Sequence, residues 1–237
     1  MSPLGIYFGS KFISLVETKG KKVVKAVQIP LGTNQGLEVV ENVPEEIRIV
    51  ALIKDELRKN SIQASEATIC LSGKDLIVRN FEMPSLPKAE LSTAVSFEAK
   101  KYIPFKLEEM ISTFQARPDK AHKSQILFVA IKKSVLDKYS SIMAQLNIKI
   151  SSIEYSSFSI FRLLKVSGAK DSGLIGVVNV DFEEESEVNF SVLDNGFTLF
   201  SRDISVVPEP GAPETAAGIP DPMAMEKLKS ELRLSLD

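Results

Sequence analysis

The sequence is poor in the residues that build covalent and metal chemistry. Its 237 residues include one cysteine and one histidine. A single thiol, Cys70, excludes an internal disulfide and fits a reducing compartment. It lies in the apolar run Ala67-Thr-Ile-Cys-Leu71, where a thiol ordinarily fills core space. His122 sits in a polar stretch, and without a second histidine or cysteine neither a zinc cluster nor Ser-His-Asp chemistry has residues to draw on. Long apolar runs are missing too. The longest, Ile126–Ile131, falls far short of the roughly 20 residues of a membrane-spanning helix. No basic segment followed by an apolar stretch opens the chain, so no secretory leader is read. Charge of one sign is not in excess: 29 basic residues against 31 acidic ones give a net charge of −2, which does not argue for nucleic acid or anionic lipid. What is present is ordinary for a globular protein, 44% hydrophobic and 25% charged, in a chain long enough for one large domain or two average ones.

The order of patterns along the chain carries more. Leu4–Gly9, Phe12–Glu17 and Val23–Ile29 read as three strands with short connections, hence antiparallel neighbours. A helix follows, with Pro44 near its start, Glu45 and Glu46 at its positive end, and Ile47, Val50, Ile53 and Leu57 at helical spacing. Thr68–Leu71 closes a βββαβ unit. A different module comes next: a strand at Leu76–Glu82, a helix over Lys88–Tyr102, strands at Ile111–Ala116 and Ile126–Ile131, and a helix over Ser134–Leu146. Lys149–Glu154 returns as a strand, and Ser156 and Ser157 cap a helix reaching Leu164. After a Gly- and Ser-rich linker the first pattern restarts with strands at Leu174–Asp181, Val188–Leu193 and Phe197–Ile204, the last two joined by an Asn195-Gly196 turn. The proline-rich stretch Val207–Pro222 reads as a loop, and Met225, Leu228, Leu232 and Leu236 as a helix.

The βββα pattern thus occurs twice. The expected fold is α/β, of the actin-like and RNase H-like ATPase class: duplicated βββα units with a small inserted α/β subdomain. The expected division is residues 1–74 with 148–170 as the first-lobe core, 75–147 as the insert, and 171–237 as the start of a second lobe. The last helix has an apolar stripe and no following strand, so about two thirds of such a protein is expected here. A complete mixed α/β domain whose last helix packs back is the alternative.

One block is more specific than the fold. Val78-Arg-Asn-Phe-Glu-Met-Pro84, Glu90-Leu91, Ala94-Val-Ser-Phe-Glu-Ala99 and Lys101-Tyr-Ile-Pro-Phe105 resemble the PilM family of actin-like type IV pilus assembly proteins. So do the Gly5–Ser10 turn, a feature shared with the cell-division protein FtsA, and the run Phe200-Ser-Arg-Asp-Ile204. The resemblance implies a cytoplasmic adaptor held beneath the inner membrane through a partner. It also implies that the short N-terminal peptide of a PilN-like membrane protein lies in a groove between the first lobe and the insert. On that reading Phe97, Tyr102, Ile103 and Phe105 are the expected partner-binding residues, although any one of them taken singly reads more readily as core. Arg79 and Lys101 are expected to meet acidic groups or solvent.

The resemblance also implies ATP and Mg²⁺, and here the residues depart from it. Gly9, Ser10 and Lys11 could still present backbone N–H groups and a positive charge to a phosphate, or merely turn a hairpin. Tyr7 stands where the family carries an aspartate that would hold Mg²⁺ through water. Asp181 survives in the second phosphate turn as a remnant metal ligand or a strand-end carboxylate, but Glu183 takes the glycine position and begins the run Glu183–Glu185. A carboxylate roughly 4 Å from a phosphate costs about 1–4 kcal/mol per charge pair. Ser156 stands where the family has glutamate, and neither Glu154 nor Asp181 has an identified partner as a catalytic base. The expectation is an assembly adaptor with a degenerate nucleotide site, no catalysis and no bound cofactor. The competing readings are an ATP-binding actin-like ATPase and an FtsA-like division protein.

Overall fold

The computed structural model describes residues 3–9, 11–31, 43–119, 122–169, 172–181 and 187–205, with 226, 229, 230 and 233. The first unit comprises strands β1 (Leu4–Phe8), β2 (Phe12–Lys19) and β3 (Lys22–Pro30), helix α1 (Glu45–Lys59) and strand β4 (Glu66–Leu71). Then come β5 (Leu76–Pro84), α2 (Lys88–Ala99), β6 (Met110–Pro118), β7 (Lys123–Lys132) and α3 (Lys133–Gln145). The chain continues through β8 (Lys149–Tyr155), α4 (Ser156–Val166), β9 (Leu174–Asp181), β10 (Glu187–Asp194) and β11 (Phe197–Ser205). The expected loop over 207–222 lies outside the described residues, and the expected helix over 225–236 is described only at Glu226, Lys229, Ser230 and Arg233, which are helical.

Three sheets result. The first has the order β3-β2-β1-β4-β8, with β1, β2 and β3 antiparallel and both β4 and β8 parallel additions. Its register stacks Ile6 against Leu15 on one side and Ile69 on the other, so one face becomes continuous hydrocarbon. α1 and α3 cover that face. Glu45 and Glu46 in the first turn of α1 and Arg58 and Lys59 in its last turn oppose the helix dipole, while Ile49, Val50 and Ile53 are buried. Tyr139, Ile142 and Met143 of α3 join the same core. Ile6, Ile13, Leu15, Ile53, Ile69, Leu71 and Ile142 are sealed from solvent, each contributing about 1.5–3 kcal/mol relative to an exposed side chain.

The segment 75–147 therefore divides by packing. Its sheet, in the order β5-β7-β6, carries α2 on one face over a separate core built on Phe81, Val95, Ile103, Ile126 and Phe128. Its last helix, α3, belongs to the five-stranded sheet.

The third sheet, β11-β10-β9, repeats the first hairpins closely. β2 and β3 join through two residues, Gly20 and Lys21, with a bulge between Glu17 and Thr18. β10 and β11 join through Asn195 and Gly196, with a bulge between Val192 and Leu193. The turn length and the spacing from turn to bulge are the same, which is physical evidence for the duplication read from the sequence. A small cluster, Val78, Leu127 and Tyr155 with Phe158 and Phe197 against it, sits where the three sheets meet.

Candidate functional site

Two depressions flank this junction. The first is a cleft of about 360 Å³ between the five-stranded sheet and the β9–β11 sheet. It is where the nucleotide residues were expected. Tyr7 and Phe12 line it on either side of the β1–β2 turn, their rings 6.2 Å apart. Gly9 lies in that turn, its N–H donating to the carbonyl of Phe12, and Lys11 accepts from the Leu31 N–H through its carbonyl with an exposed side chain. Ser10 and Glu183–Glu185 are outside the described residues; Asp181 ends β9, and its side chain is likewise not described. Ser156, at the start of α4, lines the cleft. Cys70 also reaches the cleft rather than the core. It is half-buried, its Sγ 3.7 Å from Ser159 Oγ, and burial raises its pKa. A thiol held protonated in this way is a poor nucleophile.

The sequence did not disclose what closes the floor of this cleft. The Tyr155 hydroxyl, at the end of β8, donates to both Asp203 oxygens at 2.8 and 2.9 Å. Asn189 Nδ2 donates to the same carboxylate at 2.9 Å and to the Tyr155 oxygen at 2.8 Å. Ser191 donates to Asn189 Oδ1 at 2.7 Å. Burial first, then the Asp203 charge, pushes the Tyr155 hydroxyl well above the usual tyrosine range. On the facing wall Gly73 approaches so closely that a Cβ there would overlap the Asp203 carboxylate. A carboxylate thus points into the cleft, and a polar network running from β8 through β10 to β11 ties the two sheets together. The one available signal was β10 itself, where Asn189 and Ser191, small uncharged polar residues, alternate with Val188, Phe190 and Val192. Charge would mark a solvated face; its absence marks a buried polar layer.

The second depression is an apolar groove of about 620 Å³. β6 forms one wall, Ile153–Tyr155 of β8 with Phe158 and Arg162 of α4 form the other, and the tip of the β10–β11 hairpin closes one end. Consecutive residues Ile111–Gln115 all border it. The paired residues Ile111 and Ile131, Thr113 and Val129, and Gln115 and Leu127 border it together, so the cavity lies over that face of the sheet, and Ser112 and Phe114, on the opposite face, carry it round the edge of β6. Among the described residues β6 pairs only with β7, which leaves that edge open. Glu154 and Arg162 form an ion pair at the mouth. The hairpin tip is held in place by Arg117, which bonds Asp194 at 2.9 Å and lies 4.8 Å over the Phe197 ring.

The residues expected to bind a partner are placed elsewhere. Ile103 is 5% exposed, in the core under α2. Tyr102 stacks on Phe81 at 5.2 Å. Phe105 lies under Lys132, whose Nζ is 3.5 Å from the ring centroid. Phe97 is 69% exposed. None of the four lines the groove, and α2 ends at Ala99 rather than at Tyr102. Arg79 donates to the neighbouring Val78 carbonyl, and Lys101 pairs with Glu98. Among the described residues, no group of three metal-ligating side chains converges, and no helix is long and apolar enough to cross a membrane.

Comparison with known proteins identifies the fold and the family. A solved PilM-PilN type IV pilus biogenesis complex contains a chain that superposes with a TM-score of 0.71 at 20% identity over 87% of this chain. This chain spans 62% of that chain's length. The cytoplasmic domain of EpsL, an inner-membrane component of the type II secretion system of Vibrio cholerae, matches with a TM-score of 0.58 at 12% identity, over 99% of this chain and 95% of that one. Both are likenesses of fold, and the fold is the actin-like one expected. Residues 5–206 match the family of the type IV pilus assembly protein PilM, and the chain belongs to that family.

Proposed function

We propose that this chain acts as a non-catalytic adaptor in pilus assembly, gripping an extended N-terminal peptide of a PilN-like inner-membrane partner in the groove beside β6. The observation that carries this reading is the open edge of β6 along an apolar cavity. A peptide added there gains main-chain hydrogen bonds from the strand and side-chain anchorage from Ile153, Phe158 and Leu193. A volume of about 620 Å³ lies within the span of ligand-binding clefts. The solved relative in complex with its own PilN supports the choice of partner. The partner then supplies the membrane-spanning anchor.

The cleft supports the absence of nucleotide chemistry. Tyr7, which lines this cleft, stands where the resemblance implies a carboxylate holding Mg²⁺ through water, and without the metal the charge of a triphosphate is not offset there.

The test is fluorescence anisotropy with a labelled peptide from the partner's N-terminus, alongside calorimetric titration with Mg-ATP. Saturable peptide binding, lost in Thr113→Arg and unchanged by ATP, is expected. A folded protein that leaves the peptide free, or micromolar ATP binding with hydrolysis, overturns the adaptor reading.

A further inference from the structure

We infer that the tip of the β2–β3 hairpin is a contact site for an anionic membrane surface. Across the two-residue turn Lys19 stands directly opposite Lys22, with Lys21 between them and Gly20 at φ +62° making the turn possible. Like charges directly opposed on neighbouring strands oppose folding. Among the described residues none of these three lysines has an ion-pair partner; the nearby carboxylate, Glu17, is taken by Lys25 at 3.4 Å. Beside them Val23 is 62% exposed and Val24 is 49% exposed. The overall charge of −2 conceals this concentration.

The repeat supplies an internal comparison. The equivalent tip in the third sheet is docked, with Asp194 paired to Arg117 and Phe197 beneath the guanidinium. The first tip has the same turn length and bulge position, although Asn195 and Gly196 both have positive φ where in the first turn only Gly20 does; it carries the opposite charge, and nothing is docked on it among the described residues. It lies at the end of the five-stranded sheet away from the cleft, beyond the Leu4–Glu17 pair, so its occupant is not the ligand of cleft or groove. Its composition selects the partner. Protein interfaces favour Arg, Tyr and Trp and are depleted in Lys. Flexible ammonium groups around small apolar side chains suit a fluid layer of anionic headgroups, where the lysines meet phosphates and the valines enter the acyl boundary.

The experiment is co-sedimentation of the purified chain with vesicles of phosphatidylethanolamine and phosphatidylglycerol, and with vesicles of phosphatidylcholine alone. Binding to the anionic vesicles only is expected, falling steeply with salt. The variant K19Q/K21Q/K22Q should bind roughly 100-fold less, about fivefold per lysine removed, and V23S/V24S should bind more weakly at equal charge. Circular dichroism and thermal melts establish that each variant folds; should V23S/V24S fail to, the lysine variant decides alone. Equal sedimentation with neutral vesicles, undiminished binding of the lysine variant, or a chain that stays in the supernatant overturns the inference. So does lysine-dependent binding to soluble polyglutamate without vesicle binding, which would assign the tip to an acidic protein.

Discussion

Replacing Tyr155 by Phe removes one oxygen from the place where the sheets meet. The ring stays: Phe keeps the edge contact with Phe158, whose centroid is 5.0 Å away at an interplanar angle of 82°. What goes is a hydroxyl on a residue 3% exposed that donates to an ionised carboxylate. Such hydrogen bonds contribute about 1.5–3 kcal/mol. Asp203 reaches solvent and retains Asn189 as a donor, so no charge is stranded, and the lower half of that range, about 1.5–2 kcal/mol, is expected. Urea denaturation at pH 7 measures it, and the melting temperature should drop by about 3–8 °C. A second arm uses alkali. The native hydroxyl pKa is raised by burial and by Asp203, so the unfolded state loses its proton first as the pH passes about 10. The unfolded state then binds fewer protons than the native one, and stability falls by about 1.4 kcal/mol per pH unit for this group. Tyr139, raised by burial and Asp75, adds a similar slope. Tyr155→Phe should keep the Tyr139 slope and lose its own. A variant within about 0.5 kcal/mol of the parent at pH 7, with the same alkaline slope, would refute the claim that this network ties the sheets.

Further substitutions test the placement of other residues. Gly73→Ala drives a methyl group into the Asp203 carboxylate and should destabilise by about 1–3 kcal/mol in thermal melts, a loss partly reversed by adding Asp203→Ala. Ile103→Ala should cost about 2–5 kcal/mol as a core cavity, whereas Phe97→Ser should stay within about 0.5 kcal/mol of the parent; equal effects in denaturant titrations would contradict the observed burial.

The strands were legible in the sequence because each is a short alternating run between turn residues: Leu4–Phe8, Leu76–Pro84 and Phe197–Ser205 lie within two residues of the expected bounds. The repeat was legible for the same reason. What periodicity does not encode is the partner of a buried face. The stripe Leu136, Tyr139, Ile142 and Met143 announces a helix with one buried side, yet nothing local says that it covers the first sheet rather than the insert. The Tyr-Ile-Pro-Phe segment was distinctive as a family block, but distinctiveness does not sort core from groove: Ile103 fills the core while the groove is lined by the unremarkable residues of β6. Tyr155 and Asp203 are far apart along the chain, and their bond exists only once three sheets are assembled.

The inserted sheet is rooted at one rung. Leu76, the first residue of β5, lies directly across from Ile131, next to the last residue of β7. Paired residues of antiparallel strands have Cα atoms about 5 Å apart. The chain therefore departs and rejoins through what is almost a single doorway, and the five-stranded sheet is threaded identically whether or not the excursion is made. Joining residue 75 to 132 by a tight turn would delete the excursion, and the β6 wall of the groove with it, and leave the parent lobe its covering helices.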